Sequence, residues 1–173
     1  MARLLILIHA VALCSSAALA FSFDSIDGGR LDTGDWSGRP VLVVNTASQC
    51  GFTPQYDGLQ DLQDRYGKDG LVVLAVPSDD FRQELGTAAE VKEFCALNFD
   101  LDLPMTDITH VKGAEAHPFY QWVKAETGFV PGWNFNKVLI GRDGQVARTW
   151  GASAEPMSAA ITGPIEAELA KAR

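Results

Sequence analysis

The sequence predicts an α/β domain in which a central mixed sheet is flanked by helices on both faces. Two continuous apolar runs, 41–44 (VLVV) and 71–76 (LVVLAV), are typical of strands that are buried on both sides. A segment with helical spacing of apolar residues separates them, so the two strands are predicted to be parallel and joined by a crossover helix. The turn sequence Arg142-Asp143-Gly144 lies between two further strand-like segments and indicates an antiparallel hairpin.

The length and composition are those of one globular domain. The chain has 173 residues, of which 47% are hydrophobic, so it can bury a sizeable core. Its formal net charge is −8 and it has no basic run, which argues against binding to nucleic acid or to an anionic membrane surface. No internal repeat or low-complexity linker divides the sequence.

The first twenty residues differ from the rest of the chain. A basic start at Arg3, an apolar run over 4–13 and a small-residue ending predict a secretory signal peptide over 1–20. The run is too short to span a bilayer comfortably, and the large residue before Cys14 is unlike a lipidation signal. The sequence therefore predicts an exported protein, periplasmic or secreted, with a single domain over 21–173 and no membrane span after cleavage.

Local signals predict the elements of the first half of the chain. Residues 21–40 are rich in Gly and Asp and predict a short strand or hairpin before the first buried strand. A helix is predicted over 54–65, with Thr53 as its N-cap and Pro54 at its first position. Gly67 follows its last turn. This helix is the crossover between the two apolar strands.

Capping signals predict the helices of the second half. Thr87 and Glu90 have the spacing of a capping box. Pro118 and Gly128 are placed to begin and end the next helix. A last helix is predicted from about Pro156. The order of strands and helices is the thioredoxin-like arrangement, although the sequence has no C-x-x-C motif.

Cys50 lies in the turn between the first apolar strand and its helix. The N–H groups and dipole of a helix start stabilise a thiolate, which favours a reactive thiol. A lone free cysteine is also commonly a small buried hydrophobe, and position alone leaves both interpretations open. Cys95, on the apolar face of the helix after Thr87, is the other cysteine of the mature chain. The two are either a structural bridge or a working redox pair.

His110 and His117 are candidates for a metal pair or a general base. They are seven residues apart, across a loop and a helix start, without a cysteine or carboxylate cluster in metal-ligand spacing. We therefore expect surface or capping roles for both histidines. The sequence contains no motif for a metal or an organic cofactor, and we expect neither.

The segment NTASQCGFTPQY resembles the active-site segment of glutathione peroxidases in their cysteine form. The resemblance covers nearly the whole mature chain, through FDSIDGGRL, PSDDFRQELG and GWNFNKVLIGRDG. It implies a peroxidase that reduces hydrogen peroxide or organic hydroperoxides. Cys50 would be the peroxidatic cysteine, with Gln83, Trp133 and Asn134 as its polar partners. Their side-chain N–H groups are donors that can converge on one sulfur.

Three features refine what the resemblance implies: two segments that are shorter than in other members, and a second cysteine that matches. The loop that carries Gln83 is one residue shorter than the family's, and Asp79 and Asp80 replace an uncharged pair. Cys95 matches the resolving cysteine of the thioredoxin-dependent members. The segment before Trp133 is short where tetrameric members have an assembly loop. The resemblance therefore implies a monomer that is recycled by a thioredoxin-like protein or glutathione, the dithiol protein being favoured.

The implied reaction is attack of the Cys50 thiolate on a peroxide oxygen, followed by condensation of the sulfenic acid with Cys95. Because Cys95 lies on the apolar face of a helix, we expect the two sulfurs to be apart in the reduced protein. The 87–97 helix would then have to loosen before a disulfide forms. Two other functions stay open: an exported thioredoxin-like thiol-disulfide oxidoreductase, and a non-catalytic module with a structural disulfide.

Overall fold

The computed structural model describes residues 20–171, which form a two-stranded hairpin, a four-stranded sheet and four α-helices. The strands are β1 (Ser22–Asp24), β2 (Arg30–Asp32), β3 (Val41–Thr46), β4 (Val72–Pro77), β5 (Lys137–Ile140) and β6 (Val146–Trp150). The helices are α1 (Gln55–Tyr66), α2 (Ala88–Phe99), α3 (Pro118–Thr127) and α4 (Ala159–Leu169). Apart from its last residue, the predicted signal peptide lies outside the described residues.

The four-stranded sheet has the order β4-β3-β5-β6. β3 pairs parallel with β4, with Val41 opposite Val72, and antiparallel with β5, with Val43 opposite Val138. Every residue of β3 and β4 is buried, as their continuous apolar sequences predicted. The structure thus confirms the parallel crossover through α1 and the antiparallel hairpin of β5 and β6.

Helices cover both faces of this sheet, as predicted. On one face α1, α2 and α4 contribute to a core that contains both cysteines. On the other face α3 packs against the sheet together with the hairpin of β1 and β2, whose Phe23 is 1% exposed. Among residues 20–171, no helix is long and apolar enough to cross a membrane.

The start of α1 differs by one residue from the prediction. The helix begins at Gln55 and Pro54 occupies the N-cap position, where the sequence predicted Thr53. The Thr53 hydroxyl is used inside the preceding turn, where it contacts the backbone of Cys50. With its hydroxyl turned into this loop, Thr53 does not cap α1.

The last helix begins later than predicted, at Ala159 and not near Pro156. Pro156 is buried and lies over Gly58 of α1, where an added Cβ would be 3.2 Å from the proline Cβ. This contact between distant parts of the chain keeps Pro156 in the connecting segment. The capping box at Thr87 is confirmed, since its hydroxyl accepts from the Glu90 N–H.

Candidate active site

Cys50 lies in a tight turn between the end of β3 and the start of α1, and is 7% exposed. The Thr53 hydroxyl accepts a hydrogen bond from the Cys50 N–H at 3.1 Å and lies 2.9 Å from the Ala47 carbonyl oxygen. The Phe52 N–H donates to the Cys50 sulfur at 3.4 Å. Within residues 20–171 this is the one hydrogen bond to that sulfur. The turn therefore presents a backbone donor to the thiol directly before α1.

Gln83 lies beside this turn despite its shortened loop. Its main-chain oxygen accepts from the Gln49 N–H at 2.9 Å, and its side-chain oxygen accepts from the Asn134 amide at 3.1 Å. Arg82 makes the compact turn possible by adopting φ 57°, a left-handed conformation that is uncommon outside glycine. The structure thus brings two of the predicted partners, Gln83 and Asn134, into direct contact next to the Cys50 loop.

The position of Asn134 depends on Asn45, a residue that the sequence analysis missed. The Asn45 amide donates to the Trp133 carbonyl at 3.0 Å, and its side-chain oxygen accepts from the Asn136 N–H at 3.0 Å. Phe135, which lies between Asn134 and Asn136 in the chain, has φ 60°. Asn134 is fully buried as a result. An amide at the end of an otherwise apolar strand was the available signal for this role.

Trp133, the third predicted partner, lies at the rim of the site. Its side chain is 41% exposed, and its ring centre is 5.4 Å from that of Phe81. In the part of the chain that the structure describes, neither Trp133 nor the amides of Gln83 and Asn134 donate to the Cys50 sulfur. Convergence of three donors on that sulfur stays a prediction.

Cys95 is 2% exposed on the inner side of α2, and both it and Cys50 are free thiols. Burial raises the pKa of the Cys95 thiol to about 11, so this thiol stays protonated at neutral pH. A protonated thiol is a poor nucleophile. While α2 is folded, the Cys95 thiol is therefore a poor nucleophile.

Glu84 is a second residue of the site that sequence reasoning did not identify. Its carboxylate is buried and accepts the Ser48 N–H at 3.0 Å, two residues before Cys50. Burial raises the pKa of this carboxyl. No local signal predicted its burial, because a glutamate in a polar loop is ordinarily exposed.

The two histidines lie apart from the Cys50 turn. His117 begins α3, where its Nδ1 accepts from the Phe119 N–H at 3.2 Å, so the predicted capping role is confirmed. The exposed His110 pairs with Asp80 at 2.7 Å. Among the residues from 20 to 171, no group of three or more His, Cys, Asp or Glu is arranged to hold a metal ion.

Comparison with known proteins gives consistent matches. The sequence profile of the glutathione peroxidase family matches residues 18–124. A glutathione peroxidase of Lactococcus lactis is 43% identical over 79% of this chain and 90% of its own length. A protein of Synechocystis sp. named hydroperoxy fatty acid reductase gpx1 is 40% identical over 79% of this chain and 87% of its own.

The fold comparison agrees with the sequence matches. The crystal structure of Trgpx in its apo form superimposes with a TM-score of 0.68 at 32% identity, over 86% of this chain and 93% of that one. This superposition over most of both chains confirms the thioredoxin-like fold. The chain therefore belongs to the glutathione peroxidase family and is a thiol peroxidase that reduces hydroperoxides.

Proposed function

We propose that Cys50 is the residue that reacts with the peroxide. Its thiolate attacks one peroxide oxygen and the O–O bond breaks. Cys50 becomes a sulfenic acid, and the other oxygen leaves as water or an alcohol once it has taken up a proton. The placement of Cys50 carries this proposal, because the Phe52 N–H contacts its sulfur and the Gln83–Asn134 pair adjoins its loop. Gln83, Asn134 and Trp133 are its proposed polar partners.

Cys95 is the proposed resolving residue. Its sulfur attacks the sulfenic sulfur of Cys50, the S–O bond breaks, and the leaving hydroxide combines with the thiol proton to form water. Because Cys95 is buried, this step requires α2 to loosen. Val91 and Cys95 are the two residues of α2 that are buried, so this helix has less apolar contact to lose than a core helix has.

The proposed electron donor is a thioredoxin-like dithiol protein, with glutathione as the other candidate. A Cys50–Cys95 disulfide is a natural substrate for a dithiol, which opens it by thiol exchange and becomes oxidised itself. The oxidising substrate is hydrogen peroxide or an organic hydroperoxide. The name of the Synechocystis relative, a hydroperoxy fatty acid reductase, supports the organic class.

The two other hypotheses are not favoured. A thiol-disulfide oxidoreductase of this fold ordinarily uses two cysteines in one loop, whereas the Cys50 loop has one. A structural Cys50–Cys95 staple is not favoured, because both cysteines are free thiols.

Export and a monomeric state are part of the same proposal. The N-terminal pattern over residues 1–20 supports a secretory signal peptide, with cleavage after Ala20. N-terminal sequencing of the protein recovered from outside the cytoplasm should begin at Phe21, and light scattering should give the mass of one mature chain. An intact N terminus in the cytoplasmic fraction would contradict export.

Peroxide consumption coupled to thioredoxin and its reductase tests the chemistry. Wild type should turn over, and both Cys50→Ser and Cys95→Ser should lose coupled turnover. Cys95→Ser should still consume one equivalent of peroxide and accumulate a sulfenic acid that dimedone traps at Cys50. Turnover that survives in Cys50→Ser would overturn the assignment of the reactive residue. Glutathione in place of thioredoxin separates the two candidate donors.

A further inference from the structure

The Glu84 carboxylate lies beneath the Cys50 loop, and the proposed reaction does not use it. Its side chain is 8% exposed. One oxygen, Oε1, accepts the Ser48 N–H at 3.0 Å and the Leu85 N–H at 2.8 Å. The other, Oε2, is buried and has no hydrogen-bond partner among the described residues. A buried carboxylate that is satisfied on one side is costly, so its presence requires a reason.

The two N–H groups belong to segments that control different cysteines. Ser48 lies just before Cys50, in the turn that holds the reactive thiol. Leu85 lies just before α2, the helix that carries Cys95. Oε1 of Glu84 therefore joins the Cys50 loop to the segment from which α2 begins. We call these two hydrogen bonds the Glu84 contact.

Hydrophobic packing, and not a hydrogen bond, holds Cys95 in place. The hydroxyl of Tyr56, on α1, faces the Cys95 thiol, yet it is buried without a hydrogen bond of good geometry. On α2 itself Val91 is the other buried side chain. The partly buried Phe94 and Phe99 also pack on the core, and the Gln83 carbonyl accepts from the Gln49 N–H. The Glu84 contact is thus one of several restraints on α2, and its loss would loosen the start of that helix.

We propose that Glu84 is a positioning residue for the resolving step, whose contact with Ser48 and Leu85 holds the start of α2 and keeps Cys95 buried until Cys50 has reacted. This inference rests on the proposed roles of the two cysteines. The sulfenic oxygen needs space in a turn where Cys50 is 7% exposed, so its formation displaces the turn and weakens the contact. Glu84 itself makes and breaks hydrogen bonds only.

The two N–H bonds to the Glu84 carboxylate offset part of the cost of burying its charge, because hydrogen bonds to a carboxylate are about twice as strong as those to a neutral oxygen. Burial raises the pKa of the Glu84 carboxyl, so it takes up a proton at higher pH than an exposed glutamate. The titratable groups that face it are Asp79 from its own loop, Tyr56 from α1 and Cys95 from α2. Asp79 raises the pKa of Glu84 further.

Hydrogen–deuterium exchange of the reduced protein, without peroxide, tests this inference. Glu84→Ala removes the acceptor of the two N–H groups and leaves both unpaired. At pH 8 the amides of α2 should exchange about tenfold faster in this variant than in wild type, with α3 unchanged. Glu168→Ala is the matched control, since it removes a buried carboxylate from α4 and should leave α2 unchanged.

A pH series on wild type provides a second measurement that needs no variant. After correction for intrinsic exchange, α2 should open less as pH falls, because a carboxyl whose pKa is raised by burial in the closed form takes up its proton there before it does so in the open form, while Glu84→Ala should show no such fall. Equal α2 exchange in wild type and Glu84→Ala at pH 8 would overturn the inference. If the variant unfolds, exchange rises in α3 as well, and a flat wild-type series then overturns it. Both exchange measurements are made without peroxide and do not depend on turnover. Failure of the proposed function would be seen in a different experiment, as turnover that survives in Cys50→Ser.

Discussion

The side-chain amide of Asn134 donates a hydrogen bond to the side-chain oxygen of Gln83, across 3.1 Å and 51 residues of chain. Gln83 also accepts from the Gln49 N–H through its main-chain oxygen. One residue thus connects the loop after β4 with the segment before β5 and with the Cys50 loop. The predicted partners of the thiol act as a pair, and their substitutions should show it.

Gln83→Ala and Asn134→Ala should each slow formation of the Cys50 sulfenic acid by roughly tenfold, since each breaks the hydrogen bond between the two amides and leaves the other amide unpaired beside the Cys50 loop. The double variant should be little slower than the slower single variant, because both substitutions break the same contact. Stopped-flow measurement with limiting peroxide checks this, with the exposed Gln145→Ala as control. Losses that multiply would show that the two amides act independently.

Thr53→Val should weaken the Cys50 turn. It removes the acceptor of the Cys50 N–H and leaves that buried group unpaired, at an expected cost of about 1–3 kcal/mol in the free energy of unfolding. Urea denaturation measures the loss. Thr53→Ser keeps the hydroxyl and should retain most of the stability. A Thr53→Val variant that is as stable as wild type would contradict the role of the hydroxyl.

Lys137 should make stability depend on alkaline pH. This buried residue of β5 donates to the Gln55 side chain and to the Ala154 carbonyl, and burial lowers its pKa to about 8. An unfolded lysine titrates near 10.4, so between about pH 8 and 10.4 the unfolded chain binds more protons. The free energy of unfolding should therefore rise with pH in this window, by up to about 1.4 kcal/mol per pH unit from this group.

Comparison with Lys137→Met isolates that contribution from other groups that titrate in the same range. Urea denaturation at pH 7.5 and 9.5 should show wild type gaining stability relative to the variant at the higher pH. The exposed Lys124→Met serves as control and should track wild type. A difference between wild type and Lys137→Met that does not change with pH would contradict the lowered pKa.

His117 should make stability depend on acidic pH. Its Nδ1 accepts from the Phe119 N–H and its Nε2 lies 3.1 Å from the Ser22 carbonyl oxygen, so the ring is neutral with its proton on Nε2. Burial lowers the pKa of His117 below its ordinary value near 6.5. As pH falls through and below 6.5 the unfolded chain binds more protons, and the stability from this cap is lost.

His117→Asn keeps a capping side chain and removes the titration. Urea denaturation at pH 7.5 and 5 should show a smaller acid loss in this variant than in wild type. For His110 the free energy of unfolding should instead rise as the pH falls. The Asp80 carboxylate beside His110 raises its pKa, so the folded protein binds this proton more tightly than the unfolded chain. An equal acid loss in wild type and His117→Asn would contradict a neutral cap.

Several elements could be predicted because their signals are local. The apolar runs of β3 and β4 need no knowledge of their neighbours, and the capping box at Thr87 involves residues within one turn of helix. The predicted first residues of α1 and α4 were less accurate, for a definite reason. Thr53 and Pro156 carry ordinary helix-start signals, yet each is used in another contact, one in the Cys50 turn and the other over Gly58.

The sequence by itself determined the mixed α/β sheet, the Cys50 turn, the burial of Cys95 and the family resemblance, since each depends on the order and spacing of nearby residues. Only the tertiary structure decided that Gln83 meets Asn134 and that Glu84 and Lys137 are buried. The hydrogen bonds of Asn134 to Gln83, of Ser48 to Glu84 and of Lys137 to Gln55 join residues that are 51, 36 and 82 positions apart. A polar side chain tolerates burial when distant parts of the chain supply its hydrogen bonds, and no local pattern records where those parts will meet.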